Sequence, residues 1–263
     1  MGTVHDLIEA EGRHGAIAAG IERAVVEAAF AYLSDEDLEL GFAYSGWAYG
    51  ALPHKRLADD APWGIVSERV KLMVEPGRRR VVAADGSQSF EFVGVPYGCH
   101  ARLILLYLQT EALRTRSREV ELGNSMRGWL ARVGIPAGGM TGKSVRDQAE
   151  RISLSKLTFE ISASGRAPGL VQQAIVDQAL FTAAEEDARQ GRLSLKTVKL
   201  SVGFFEKLKK HSMPFEKAAI KALSNNAPAL DVYLWLAYRL HALHADAPVS
   251  WAALKKQFGT GFS

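Results

Sequence analysis

The chain has 263 residues, 48% hydrophobic and 23% charged, with a formal net charge of +3, the composition of a folded globular protein rather than a disordered one. No run of 18 apolar residues occurs, and Met1–Asp6 lacks a basic segment followed by an apolar one, so neither a membrane-spanning helix nor a secretory leader is predicted. The single cysteine, Cys99, excludes an internal disulfide and a cysteine-rich zinc site, and together these features predict a cytoplasmic protein.

Residues 4–33 are rich in Ala, Glu and Ile. Ile17, Ile21, Ala24 and Val25 recur at helical spacing, as do Ala28, Ala29 and Tyr32. Ser34-Asp-Glu-Asp37 predicts a stop followed by a new cap. Residues 41–68 hold many Gly, Tyr and Trp residues together with Pro53 and Pro62, and read mostly as loop. Arg69–Val81 and Ser89–Val95 alternate apolar and polar positions around Ala84-Asp85-Gly86. That is a hairpin signal, because Asp-Gly supplies the positive φ of a tight turn. Residues 1–98 are therefore expected to form a helical and β-hairpin region.

From residue 100 the pattern sharpens. Leu103, Leu106, Tyr107, Thr110 and Leu113 form a stripe that predicts a helix over 100–116 with one buried face. Arg118-Glu-Val-Glu-Leu122 reads as a short strand. Asn124 or Ser125 caps a second helix carrying Met126, Trp129, Leu130 and Val133 on one face, and Gly134 ends it. After the turn Pro136-Ala-Gly-Gly-Met140, Thr141 opens a third helix to about Ser155 that buries Val145, Ala149 and Ile152. Lys156–Ala163 alternates as a strand, and Ser164-Gly-Arg-Ala-Pro-Gly169 turns the chain. Leu170–Phe181 suits strand or helix, and the preceding turn favours strand. Leu193–Leu200 is a further strand, and Val202–His211 a short basic helix.

Helix, strand, helix, turn, helix, hairpin is the order of a winged helix. The fold class predicted is thus α+β, with a first winged-helix domain over 99–211. Its wing is the loop 164–169, and its third helix is the one that enters a major groove. An echo follows: the apolar helix Ala229–His244, the extended Ala247–Ser250, and a helix opening at Trp251. Residues 212–263 therefore read as the start of a second winged-helix domain, cut short at Ser263 before its last helix and wing.

Charge is concentrated where this pattern predicts contact with nucleic acid. Between Arg114 and Lys156 there are nine basic and four acidic residues. Lys143, Arg146, Asp147, Glu150 and Arg151 fall on the face of the third helix opposite its apolar residues. That pattern suits a solvated helix face or a DNA-reading one. Read as a DNA interface, Arg146 and Lys143 reach guanine edges or phosphates, Thr141, Lys143 and Ser144 meet a phosphate at the helix N-terminus, and Arg166 in the wing and Arg127 add backbone contacts. Asp147 and Glu150 would repel phosphates, so they point at bases, pair with a neighbouring arginine, or lie off the interface. Arg114, Arg116 and Arg118 suit either a helix C-terminus or DNA phosphates. Arg78-Arg-Arg80 is a basic run in the hairpin, either solvated or a second DNA contact.

Other motifs carry less. Ala137-Gly-Gly-Met-Thr-Gly-Lys-Ser144 fits a loose phosphate-binding loop, but such a loop follows a buried parallel strand, and here a helix precedes it. His241 and His244 lack a third ligand for zinc. Cys99 and His100 are chain neighbours, which rarely aim at one another. No catalytic residue, metal or cofactor is predicted.

Several segments resemble a known family. Val95-Pro-Tyr-Gly-Cys-His-Ala-Arg-Leu-Ile-Leu-Leu-Tyr-Leu-Gln-Thr-Glu-Ala112, Ser117-Arg-Glu-Val-Glu-Leu122, Val145-Arg-Asp-Gln-Ala-Glu-Arg151, Ala222-Leu-Ser-Asn-Asn226, Leu230–Leu240 and Val249-Ser-Trp-Ala-Ala-Leu254 are similar to plasmid-encoded RepA-type replication initiators. Tyr44-Ser-Gly-Trp47 and Leu52-Pro-His-Lys-Arg56 extend the likeness, which covers about residue 40 to the end. The resemblance implies a non-enzymatic protein that binds repeated double-stranded sites in a plasmid origin, opens it and recruits host replication proteins. It also implies a shift between dimer and monomer, the dimer often repressing its own gene. Similar proteins continue past Phe262, so the second unit is expected to lack its recognition helix. A winged-helix transcriptional repressor would show the same basic helix, and a nucleotide-binding enzyme would use the Ala137–Ser144 loop.

Overall fold

The computed structural model describes residues 3–34, 39–66, 70–83, 85–123, 125–138, 140–161, 169–182 and 194–258. Two N-terminal helices, α1 (Thr3–Ala18, kinked at Gly12) and α2 (Arg23–Leu33), pack on each other through Ile8, Ala16 and Val26. The segment read as mostly loop carries strand β1 (Leu40–Tyr44), a 3-10 turn (Ser45–Ala48) and strand β2 (Trp63–Val66). The predicted long strand before the hairpin is two strands, β3 (Val70–Glu75) and β4 (Gly77–Val82), broken at Pro76. Only β4 pairs with β5 (Gln88–Gly94) as the hairpin; β3 joins a different sheet.

Helix α3 (Gly98–Thr115) is the centre of the fold. Its apolar stripe is part of a wider buried surface, since Arg102, Ile104, Leu105, Leu108 and Gln109 are buried as well. A helix enclosed on nearly all sides must satisfy its polar side chains locally. Gln109 Oε1 accepts from the Tyr44 backbone N–H (2.8 Å) and the Trp47 indole N–H (3.3 Å), and its amide donates to the Leu105 carbonyl (2.7 Å). Thr110 exchanges hydrogen bonds with the backbone of Phe42 at 2.9 and 3.2 Å. Arg102 grips Asp231 through Nε and Nη2, at 2.7 and 2.6 Å, and donates to the carbonyls of Leu52, Pro53 and Gly98. His54 Nε2 lies 2.9 Å from the same carboxylate.

After α3 come β6 (Glu119–Glu121), α4 (Met126–Val133), α5 (Thr141–Leu154) and the strands β7 (Lys156–Ile161), β8 (Gly169–Ala174), β9 (Val176–Thr182) and β10 (Ser194–Leu200). The chain then forms α6 (Val202–Lys210), β11 (Ser212–Glu216), α7 (Lys217–Ala222), α8 (Ala227–Ala242) and α9 (Trp251–Phe258). The described strands form four antiparallel groupings: β1-β11, β2-β3-β7-β8, β4-β5 and β6-β10-β9.

Strands β7 and β8 pair antiparallel, as the hairpin expected around residues 164–169 requires. The loop 164–169 joins β7 to β8, and both strands belong to the sheet with β2 and β3; residues 164–168, Arg166 among them, lie outside the described residues. The hairpin that pairs with β6 is β9–β10. Leu170–Phe181 held the clue: it is two strands separated at the buried Ile175, and the first serves one sheet while the second serves the other.

One apolar core draws on all three sequence regions, from Tyr44, Trp47 and Leu72 through α3, Trp129 and Ile152 to Met213, Phe215, Leu230 and Leu234. The echo between the two halves is visible as helices but not as packing. Trp129 on α4 is 1% exposed, whereas Trp251 at the start of α9 is 86% exposed. Asp231→Asn would leave the Arg102 guanidinium buried without its counter-charge, and should cost about 3–5 kcal/mol of stability, read as a lower urea midpoint with an unchanged slope.

Candidate nucleic-acid interface

Helices α4 and α5 stand on α3 as two arms joined by a turn. Ser125 caps α4, its hydroxyl accepting from the Gly128 N–H at 3.1 Å, and Gly134 ends it in the left-handed region (φ 77°). The left-handed turn sends Ile135 back into the core, after which residues 136–138 run over the surface. Met140 at the N-cap of α5 makes no side-chain cap, and the Thr141 N–H turns back to the Gly138 carbonyl at 3.2 Å.

Helix α5 buries Val145, Gln148, Ala149, Arg151 and Ile152. Gln148 Oε1 accepts from the Tyr97 N–H at 2.8 Å, which fixes the start of α3 against α5. Lys143 and Arg146 point outward, as does Arg127 on α4, and no ion pair engages any of the three among the described residues. Thr141 is half-buried in the first turn. Ser144 is half-buried too, with its hydroxyl 2.8 Å from His100 Nδ1, and burial holds that imidazole below its ordinary range and so neutral near pH 7.

Arg151 departs from the sequence reading. Helical periodicity puts it on the outward face, yet it is 2% exposed. Its Nε donates to Asp147 at 3.0 Å, its Nη2 to Asp59 at 3.1 Å and its Nη1 to the Val95 carbonyl at 3.4 Å, and the guanidinium lies over the Tyr97 ring. Residue 151 is three turns or so from the free end of the helix, where α5 is already pressed against Tyr97 and the loop holding Asp59, so a residue there turns inward. Burial pushes the Asp59 carboxyl up, but hydrogen bonds from Arg56 and Arg151 outweigh it and hold the group below the usual carboxylate range.

The two acidic residues of α5 take one of the routes foreseen for them. Asp147 is bound to Arg151, and Glu150 lies 3.4 Å from Arg79 on the β4–β5 hairpin. Two of the arginines around the end of α3 are also occupied: Arg114 pairs with Glu111, and Arg118 reaches Asp177 and the Leu200 carbonyl, while Arg116 is the exposed left-handed residue (φ 54°) that ends the helix. The link from hairpin to α5 was missed from sequence, although the run Arg78-Arg-Arg80 marked the strand that makes it.

The remaining motifs find plain roles. The Ala137–Ser144 segment connects two helices, and every described strand pair is antiparallel, so the parallel strand that precedes a phosphate loop is not what leads into it. Burial pushes the Cys99 thiol up, opposite to an activated nucleophile. Among the described residues no three histidine, cysteine or acidic side chains gather as a metal site, and no helix is long and apolar enough to cross a membrane.

Residues 95–252, from the residues just before α3 to the first turn of α9, match the family described as plasmid-encoded RepA protein. The chain belongs to this family. RepA-type membership supports a role in replication initiation, as the sequence resemblance implied. No curated protein matches the chain. Two solved structures, a selenomethionine derivative of domains 2 and 3 of RctB and a second crystal structure of RctB domains 2–3, are similar at 12% and 13% identity. They cover 83% and 82% of this chain and 78% and 76% of their own, with TM-scores of 0.50 and 0.51, so the likeness is one of fold.

The two arginines of α5 should separate by stability. Arg151→Ala is expected to cost about 1–3 kcal/mol, because it strips partners from Asp147 and Asp59, whereas Arg146→Ala should change the denaturation midpoint by no more than about 0.5 kcal/mol.

Proposed function

We propose that this RepA-family chain is a plasmid replication initiator that binds repeated double-stranded DNA sites at its origin, and that α3, β6, α4, α5 and the β9–β10 hairpin form a winged helix with α5 as the reading helix. The observation that carries this reading is the sorting of charge on α5. Its acidic side chains and Arg151 are bound to protein groups, while Lys143 and Arg146 face outward beside an uncapped helix N-terminus. A phosphate at the first-turn amides would place Lys143 on the backbone and Arg146 toward a base edge. Arg127 on α4 is a further exposed cation that makes no ion pair among the described residues. Origin opening, recruitment of host replication proteins and a homodimer that exchanges with monomer belong to the same proposal, as does action in the cytoplasm without chemistry of its own.

The test is a binding titration on the parent replicon's origin fragment against scrambled DNA at several salt concentrations. Origin-selective binding that weakens with salt is expected. Arg146→Ala should lose about 1–3 kcal/mol and relax specificity at one base pair, and Lys143→Ala should weaken all sequences alike and reduce the salt slope by about 1. Parent-like binding by both variants would refute the assignment of α5.

A further inference from the structure

The β4–β5 hairpin carries an outward face that the duplex-reading helix does not use. Residues opposite each other in an antiparallel pair share a face. Here Arg78 is opposite Phe92, Arg80 opposite Phe90 and Val82 opposite Gln88. The Arg78 guanidinium sits 4.1 Å from the centre of the Phe92 ring. Phe90 is 67% exposed and Val82 53%. The alternate residues form the inward face: Arg79 meets Glu91 and Glu150, and Val93 is buried. The outward face thus has two aromatic rings and two arginines and no acidic side chain.

The hairpin is held in place at its base. Gly77 and Gly94 are partners there, and neither has room for a side chain: the Leu154 carbonyl presses on the first, and the Arg151 guanidinium on the second, whose φ is 77°. The face is therefore presented at a fixed angle to α5. It also lies just ahead of the segment that matches the RepA family.

We propose that this face is a stacking platform for single-stranded DNA. Two rings at alternate positions of one strand stand about 7 Å apart on one face, a spacing that lets successive unpaired bases lie on them. The arginines alongside supply phosphate contacts and stacking planes of their own. A duplex hides its base faces within the stack, and rings in mid-strand, away from the hairpin tip, are not placed to wedge between base pairs. The inference stands on the hairpin alone and does not depend on the reading of α5.

The experiment measures fluorescence anisotropy of a labelled oligothymidylate and of a labelled origin duplex, with the full chain, and follows its oligomeric state by sedimentation. Phe90→Ala should bind the single strand at least about five-fold more weakly than the parent. Phe90→Tyr should retain binding, Arg78→Ala with Arg80→Ala should weaken it and flatten its salt dependence, and duplex affinity should stay put in all of them. Because Phe90 is exposed, thermal unfolding should not move. A parent that does not bind oligothymidylate, or a Phe90→Ala variant that binds it equally, overturns the proposal. So does a variant that loses duplex and single strand together, which would make the hairpin part of the duplex interface. A change in oligomeric state with unchanged oligonucleotide affinity also overturns it, and would make the face a contact between copies of this chain. Loss of duplex binding in Arg146→Ala with single-strand binding intact bears on α5 alone.

Discussion

A single guanidinium organises this fold. Arg102 has five N–H donors in a rigid fork, and the structure supplies an acceptor for each: both oxygens of Asp231 and the carbonyls of Leu52, Pro53 and Gly98. The group thereby fixes three segments that are remote in sequence: the loop after the 3-10 turn, the first turn of α3, and α8. Burying such a pair costs desolvation that its attraction does little more than offset, so its effect is on arrangement more than on stability. Asp231 also holds His54, which ties the loop a second time. A lysine in place of Arg102 would offer a point charge and could not serve these directions together.

The same logic of saturated donors sorts the charges of α5. Arg151 is surrounded by acceptors and belongs to the body of the protein, whereas Arg146, little more than one turn earlier, is exposed and makes no ion pair among the described residues. Net charge is a poor guide to such a surface, since what a ligand meets is the charge left over once internal pairs are counted. On α5 that remainder is positive and lies at the helix end where backbone amides add to it.

How much of this was legible in the sequence differs from element to element. The three helices, the strand between the first two, the Ser125 cap and the Gly134 stop follow from local rules, and each is present. Which hairpin joins β6 was not legible, because two hairpins in succession share one pattern of alternation and only pairing across 50 or more residues decides between them. Arg151 was misplaced because helical periodicity gives an angle and not a neighbour: Tyr97 and Asp59 close over that position from elsewhere in the chain. The full burial of α3 was hidden for a related reason, as Arg102 and Gln109 read as solvent-facing until their partners at Asp231, Tyr44 and Trp47 are known. The segments that carry the family resemblance are largely these buried ones, so the likeness speaks most directly to architecture.

The two glycines at the base of the β4–β5 hairpin have a geometric consequence for α5. They clamp the arm to Leu154 and Arg151, near the C-terminal end of the helix, while Lys143 and Arg146 occupy the other end. An α-helix turns about 100° per residue. Adding or removing one residue between Arg146 and Arg151 would therefore swing the exposed cations by that angle while the arm stayed where it is. The length of α5 acts as a ruler with a fixed phase, and chains that vary the sequence of this helix can do so freely only by substitution, never by changing its count.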